Sequence, residues 1–289
     1  MTQETLILPG GLPLRCYVAG QGARTIVLLR GAGVDSAMMS WSEVLPLLAA
    51  EGYRVIAPDL PGYGGSGQSS GDYSLPFYSA AIADFIETLD CGPVILSGLS
   101  LGGGIALHLA LERPELLEAL IPVDAWGLFA KLPWHRTLHW FARSRLNRGL
   151  YPWAGKHRWI IKWSLTASLF GDKRKVTDEL LDTVMEALSQ PDAGEPFRSF
   201  QICEIGKAGL NTELFGRLPE LQLPTLLVHG EKDAAVPLAG AIEAQKRIAG
   251  AELHIMRGCR HWPQKERPEE FAAEMLRFLR ALPPRGACI

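Results

Sequence analysis

The 289-residue sequence lacks any stretch of eighteen apolar residues, and its start, Met1-Thr-Gln-Glu-Thr5, carries no basic segment followed by an apolar run. Neither a membrane-crossing helix nor an export signal is expected, and a cytoplasmic location is. Excess charge is missing as well. With 29 Lys and Arg against 31 Asp and Glu, the net charge of −2 gives no global attraction for nucleic acid or for a membrane. The five cysteines (Cys16, Cys91, Cys203, Cys259, Cys288) are odd in number and scattered, with no CxxC or Cys/His spacing. That argues against a disulfide framework or a zinc site and fits reduced thiols. The histidines form no HExxH pair, and the glycine-rich stretch 62–67 matches neither GxGxxG nor GxxxxGK[ST]. No metal, nucleotide cradle or other cofactor is expected. Internal repeats and low-complexity tracts are absent.

What is present is a composition of 47% hydrophobic and 21% charged residues, enough to bury a full core in a chain near the upper size of one domain. Two short extended runs, 5–8 and 14–18, flank Pro9-Gly-Gly11 and read as an antiparallel hairpin. The continuous apolar run at 25–29 is of the kind that a strand buried on both faces requires, and 53–57, 93–99, 119–123, 224–229 and 252–256 read as further strands. Helical spacing is expected over 40–50, 75–90, 101–112 and 268–282. Strands alternating with helices predict an α/β fold with a mostly parallel eight-stranded sheet, its chemistry at the carboxyl ends of the strands.

Between about Trp126 and Leu221 the alternation stops and helical, tryptophan-rich segments take over. The expected organisation is a core formed by 1–126 and 221–289, with 127–220 inserted as a helical cap.

Within Pro93-Val-Ile-Leu-Ser-Gly-Leu-Ser100-Leu-Gly-Gly-Gly104 lies Gly98-x-Ser100-x-Gly102, a serine on a sharp strand-to-helix turn. Glycines two before and two after the serine are needed because the backbone passes close there. A serine hydroxyl is a poor nucleophile unless a base takes its proton and a third group orients that base. Gly230-Glu-Lys-Asp233 follows one predicted strand and Gly258-Cys-Arg-His261 follows the last, so Ser100, Asp233 and His261 are the candidate catalytic residues. Asp124, which ends the strand before the insertion, competes with Asp233 for the role of acid.

These motifs, in this order and together with Gly31-Ala-Gly33 and Asp59-Leu-Pro-Gly-Tyr-Gly-Gly-Ser66, resemble the α/β-hydrolase fold family. The likeness is to its capped branch of serine esterases and C–C hydrolases. The resemblance covers the chain outside the insertion and implies an oxyanion hole from the backbone N–H groups of Ala32 and Leu101. Arg30 departs from the pattern, because relatives commonly carry His-Gly where this chain has Arg30-Gly31. It is open to three readings: an architectural replacement, a hold on an anionic substrate group, or a change that disables or redirects ester chemistry. A pairing with Asp59 or Asp124 would keep it from substrate altogether. Arg30, Trp126 and Trp262 are the candidate substrate contacts.

From Lys131 to Lys175 there are eleven Lys and Arg residues against one acid, Asp172, and five of the eight tryptophans. This asymmetry reads as a solvated basic face with tryptophans packing the cap onto the core, as an aromatic pocket with a cationic rim, or as a surface for anionic lipid. Nucleic acid is a remote fourth reading. The function expected is cofactor-free cleavage of a carboxylic ester in a mainly hydrophobic small molecule, with no nucleic acid partner and no stable membrane insertion. The rivals are a C–C hydrolase or biosynthetic lyase or cyclase acting on an anionic substrate, and a non-enzymatic ligand receptor.

Overall fold

The computed structural model describes residues 1–282 apart from 70, 130, 133 and 191. Eight strands form one sheet: β1 Thr2–Ile7, β2 Pro13–Ala19, β3 Thr25–Leu29, β4 Arg54–Pro58, β5 Val94–Leu99, β6 Leu117–Val123, β7 Leu226–Gly230 and β8 Glu252–Met256. Their order is β1-β2-β4-β3-β5-β6-β7-β8. β2 runs antiparallel to both β1 and β4, and the remaining neighbours are parallel. The α/β fold expected from the alternating runs is the one observed.

Every residue of β3 and β5 is buried, because helices cover both faces of the sheet. Val27, Leu29 and Leu96 turn to the face packed by α3 (Leu75–Thr88) and α4 (Leu101–Glu112). Ile26, Leu28 and Ile95 turn to the other. That second face is covered by α1 (Ala37–Trp41), α2 (Val44–Ala50) and the C-terminal helix, through Trp41, Leu45, Leu48, Phe271 and Met275.

The single helix expected over 40–50 is in fact the pair α1 and α2, broken at Ser42-Glu43. Pro46 is the reason: a proline ring collides with the carbonyl four residues back, which here is Ser42. The first hairpin is also shifted, its leading strand starting at Thr2 rather than Thr5.

Among the described residues between β6 and β7 lie five α-helices: α5 His135–Arg143, α6 Arg145–Ala154, α7 Arg158–Ser164, α8 Asp178–Leu188 and α9 Glu195–Glu204. Ser144 and Thr177 cap α6 and α8 through their hydroxyls, and α7 ends in a π turn, Leu165–Leu169. After β7 come α10 (Leu238–Arg247), α11 (Pro263–Glu266) and α12 (Pro268–Ala281). Buried Glu204 ties the insertion to the core, accepting from the N–H of Leu75 at 2.7 Å. Cys16, Cys203 and Cys259 are free thiols, and Cys288 lies outside the described residues. No helix among the described residues is long and apolar enough to cross a membrane.

Register brings the site together. Leu29 pairs with Gly98, Leu99 with Val123, Val123 with Val228, and Gly230 with Met256. The strands therefore end level, and the loops that follow β3, β5, β6, β7 and β8 share one edge of the sheet.

The start of α4 lies against β3 with no room for a side chain. A Cβ on Gly102 would sit 2.6 Å from the Arg30 carbonyl oxygen and 2.7 Å from that of Leu29. Gly102→Ala is expected to lower stability by about 1–3 kcal/mol through overpacking, read as a lower urea midpoint at unchanged slope. A midpoint equal to that of the wild type would show that helix and strand have slack here.

Candidate active site

The sharp turn begins where β5 stops. Ser100 has φ 51° and ψ −110°, a region that L residues avoid, and stands as the N-cap of α4. The chain reverses so tightly that a Cβ on Gly98 would lie 2.3 Å from the carbonyl carbon and oxygen of Gly102. Backbone bonds pin the turn to β6 and the loop beyond it. Ser100 N–H donates to the Val123 carbonyl (2.8 Å), and its own carbonyl accepts from Gly104 (3.0 Å) and Trp126 (2.9 Å). The Ser100 hydroxyl makes no hydrogen bond among the described residues, so its oxygen is uncommitted.

Asp233 and His261 meet at the same edge. His261 Nδ1 donates to Asp233 Oδ2 at 2.7 Å, and Asp233 Oδ1 accepts from the N–H groups of Ala235 (2.7 Å) and Val236 (3.1 Å). Both side chains are buried. Burial alone would push the Asp233 carboxyl up, but the His261 bond and charge, with Val236 N–H and His229, hold it below the usual carboxylate range. An imidazole whose Nδ1–H is spent on a carboxylate presents a bare Nε2, ready to accept a proton.

Asp124 behaves differently. It is fully buried, its Oδ1 accepts from Gly230 N–H at 2.9 Å, and His229 Nδ1 lies 3.3 Å away. Burial, then the adjacent Asp233 charge, push its carboxyl well above the usual range. His229 is pulled down by burial and gives Nε2–H to the Val236 carbonyl at 2.9 Å, which leaves a lone pair on Nδ1. Neither that nitrogen nor Asp124 Oδ2 has a hydrogen-bond partner among the described residues. Asp124, His229 and Asp233 are close enough to ligate a metal. A carboxyl pushed by burial toward its neutral form accounts for the same closeness without one.

Arg30 is wholly buried, and the sequence alternatives for it narrow. Asp59 is taken by Arg15, with Nη2 to Oδ2 at 2.6 Å, and Asp124 faces Gly230 and His229. The Arg30 guanidinium instead lies 3.7 Å from the centroid of the Tyr63 ring, and Nη2 donates to the Gly33 carbonyl at 3.2 Å. Nε and Nη1 have no acceptor at hydrogen-bonding geometry. Buried Asp35 holds the same loop, accepting from Gly31 N–H at 2.7 Å and Ser36 N–H at 2.8 Å. Arg30 and Asp35 thus brace the segment that contains Ala32, while Leu101 N–H is the first of α4 and has no carbonyl one turn back.

Trp126 is half-buried over the turn, edge-on to Phe129 and Phe200 at 5.3 and 5.2 Å. Trp262 is buried at the joint with the insertion: its ring packs on Phe170 at 5.6 Å, and its N–H donates to the Leu169 carbonyl at 3.1 Å. Sequence reasoning missed Glu266. Its buried carboxylate accepts from Gly171 (2.8 Å) and Asp172 (2.9 Å) on the insertion and from Arg260 (2.7 Å) beside His261. The signal was only an acid in the turn before a helix, indistinguishable from a surface residue.

A mostly parallel eight-stranded sheet, a serine on a left-handed turn after its fifth strand and a helical insertion after its sixth define an α/β hydrolase. A family model described as "Alpha/beta hydrolase family" matches residues 26–274, and the chain belongs to that family. It is 28% identical over 280 residues, 96% of this chain and 90% of the relative, to 2-hydroxy-6-oxo-6-(2'-aminophenyl)hexa-2,4-dienoic acid hydrolase of Metapseudomonas resinovorans. It is 31% identical over 272 residues, 90% of this chain and 88% of the relative, to 2-hydroxy-6-oxononadienedioate/2-hydroxy-6-oxononatrienedioate hydrolase of Escherichia coli strain K12. Among solved structures it is similar to a serine hydrolase involved in carbazole degradation, with TM-score 0.80, 25% identity and coverage of 96% of this chain and 98% of the other. These likenesses support an enzyme over a non-catalytic receptor.

The raised Asp124 carboxyl carries a pH signature. A group that keeps its proton in the fold but loses it when unfolded contributes stability below the ordinary carboxylate pKa, and that stability drains away as pH rises through the folded value. Asp124→Asn retains an oxygen for Gly230 N–H but does not titrate. Urea midpoints are expected to shift in favour of Asp124→Asn relative to wild type between pH 5 and pH 8, on the order of the folded-state displacement. A difference that stays constant with pH would mean that Asp124 ionises normally.

Proposed function

We propose that this enzyme is a serine hydrolase cleaving a carboxylic ester with an apolar acyl or alcohol part, using Ser100, His261 and Asp233. The observation that carries this reading is the buried 2.7 Å bond from His261 Nδ1 to an ionised Asp233, at the sheet edge where Ser100 is held in its strained turn. His261 Nε2 takes the hydroxyl proton as Ser100 Oγ bonds to the carbonyl carbon. The oxyanion that forms is met by the N–H groups of Ala32 and Leu101 and by the positive end of the α4 dipole. His261 then gives its proton to the departing alcohol, leaving an acyl-enzyme. A water deprotonated by the same nitrogen releases the acid. The chemistry needs no cofactor.

A second reading, a C–C bond hydrolase of an anionic substrate, is favoured by the two hydrolases above, whose names give hydroxy-oxo-dienoic acids. Full burial of Arg30 favours bracing over direct contact with a substrate carboxylate.

A panel of short aryl esters and an anionic vinylogous diketone separates the two readings. Turnover of the esters is expected, abolished together with fluorophosphonate labelling in Ser100→Ala, and Asp233→Asn is expected to lose about 10⁴ in kcat. Diketone turnover without ester turnover would establish the second reading, and unchanged turnover in Ser100→Ala would sink both.

Arg30→Lys removes the planar stack on Tyr63 and the fork that reaches Gly33. It is expected to lower kcat by about ten- to a hundredfold with little change in KM, since a misplaced oxyanion donor costs up to about 3 kcal/mol in the barrier. A rise in KM confined to anionic substrates would show instead that Arg30 meets them.

A further inference from the structure

The tryptophans of the insertion do not pack it onto the core. Trp134, Trp140, Trp153, Trp159 and Trp163 are between 52% and 83% exposed, and Leu146 and Leu150 join them at the surface. Tryptophan is ordinarily among the more buried residues, and a group of this size left in water marks a contact surface.

The exposure is organised. On α6, Leu146, Leu150 and Trp153 fall at i, i+4 and i+7 and form one stripe along the exposed arc, with Arg145 and Arg148 on the far side of that arc. On α7, Trp159 and Trp163 stand one turn apart, with exposed Lys162 beside them. α5 packs on α6 and α6 on α7, so the stripes belong to adjoining helices.

Along α5, α6 and α7 themselves the charge has one sign, and acids return on α8, which packs on α6 and α7 with Asp178, Glu179, Asp182 and Glu186 exposed. From Lys131 to Trp163 the chain has eight Lys and Arg residues and no acid. Among the described residues only Arg158 of these eight is paired with carboxylates, those of Asp178 and Asp182. At the start of α5 an open cleft is lined by Lys131, Trp134, Arg136 and Lys207 and by no acid.

Apolar and aromatic stripes set among unpaired cations fit a surface that is greasy within and negative at its rim. We propose that α5, α6 and α7 dock on an anionic phospholipid bilayer, with the tryptophans and leucines at the headgroup boundary and Arg145, Arg148, Lys156 and Lys162 on lipid phosphates. The protein lies on the membrane and does not cross it. Nucleic acid would use the cations and the rings, but the Leu146–Leu150 stripe offers it nothing to stack on. A second copy would bring eight like charges against eight.

Full-length protein is sedimented with vesicles of phosphatidylcholine alone and of phosphatidylcholine mixed with phosphatidylglycerol, at low and high salt. Binding is expected to the mixed vesicles only, with a blue shift of tryptophan emission, and is expected to weaken as salt screens the charges. Arg145→Gln with Arg148→Gln should weaken binding about five-fold per arginine. Trp159→Ser with Trp163→Ser should weaken it by about tenfold or more. These side chains are exposed, and unchanged thermal unfolding verifies that each variant is folded. The readout needs no turnover, so it stands or falls separately from the ester reading. No sedimentation with mixed vesicles, equal binding to neutral ones, or a dimer in analytical ultracentrifugation that the tryptophan substitutions dissociate would each overturn the proposal.

Discussion

At the end of β5 four backbones come within contact distance of one another: the strand itself, the first turn of α4, the end of β3 and the loop after β6. Gly98, Gly102, Gly103 and Gly104 are the positions at which this happens, and a Cβ on any of them would lie between 2.3 and 3.0 Å from a neighbour. Positive φ at Ser100 is sustainable because this packing over-determines it. The loops that carry Arg30, Asp124 and Trp126 are placed by the same contact, since each touches the turn or the strands that flank it. The site is therefore built on main chain, and the side chains are hung on it.

Its electrostatics rest on unequal treatment of similar groups. Asp233 and Asp124 lie at the ends of neighbouring strands and are both buried, yet a histidine and two amides hold the first carboxyl below the usual range while burial and the first push the second well above it. Two adjacent carboxylates in a dry site cannot both carry charge at modest expense. Arg30 and Asp35 make a second balance beneath the loop after β3, where Tyr63 gives the guanidinium a ring face in place of water.

Much of this is legible in the residues. The strand at 252–256 and the helix at 101–112 have the expected limits because apolar runs and glycine punctuation are local signals. The order of Ser100, Asp233 and His261 is readable for the same reason, each being a polar residue just past an apolar strand. The break between α1 and α2 was available in Pro46 but was outweighed by the apolar pattern. The state of Asp124 was not available at all, because it depends on Asp233 and His229, over a hundred positions away in the chain. Nor does composition tell an inward tryptophan from an outward one. Helical phase within the insertion decides that, and the mixed spacing of its aromatic and basic residues leaves the phase undetermined without the tertiary packing.

Trp262 and Glu266 bind the end of α7 and the segment after it to the loop that carries His261. One short piece of chain therefore serves both as an anchor of the insertion and as the mount of His261. Force applied to the outer helices has a path to the imidazole that runs through one hydrogen-bonded carboxylate and one aromatic pair. A displacement along this seam would also move His261, so that under the proposed triad admission of a substrate and proton transfer would take turns instead of coinciding.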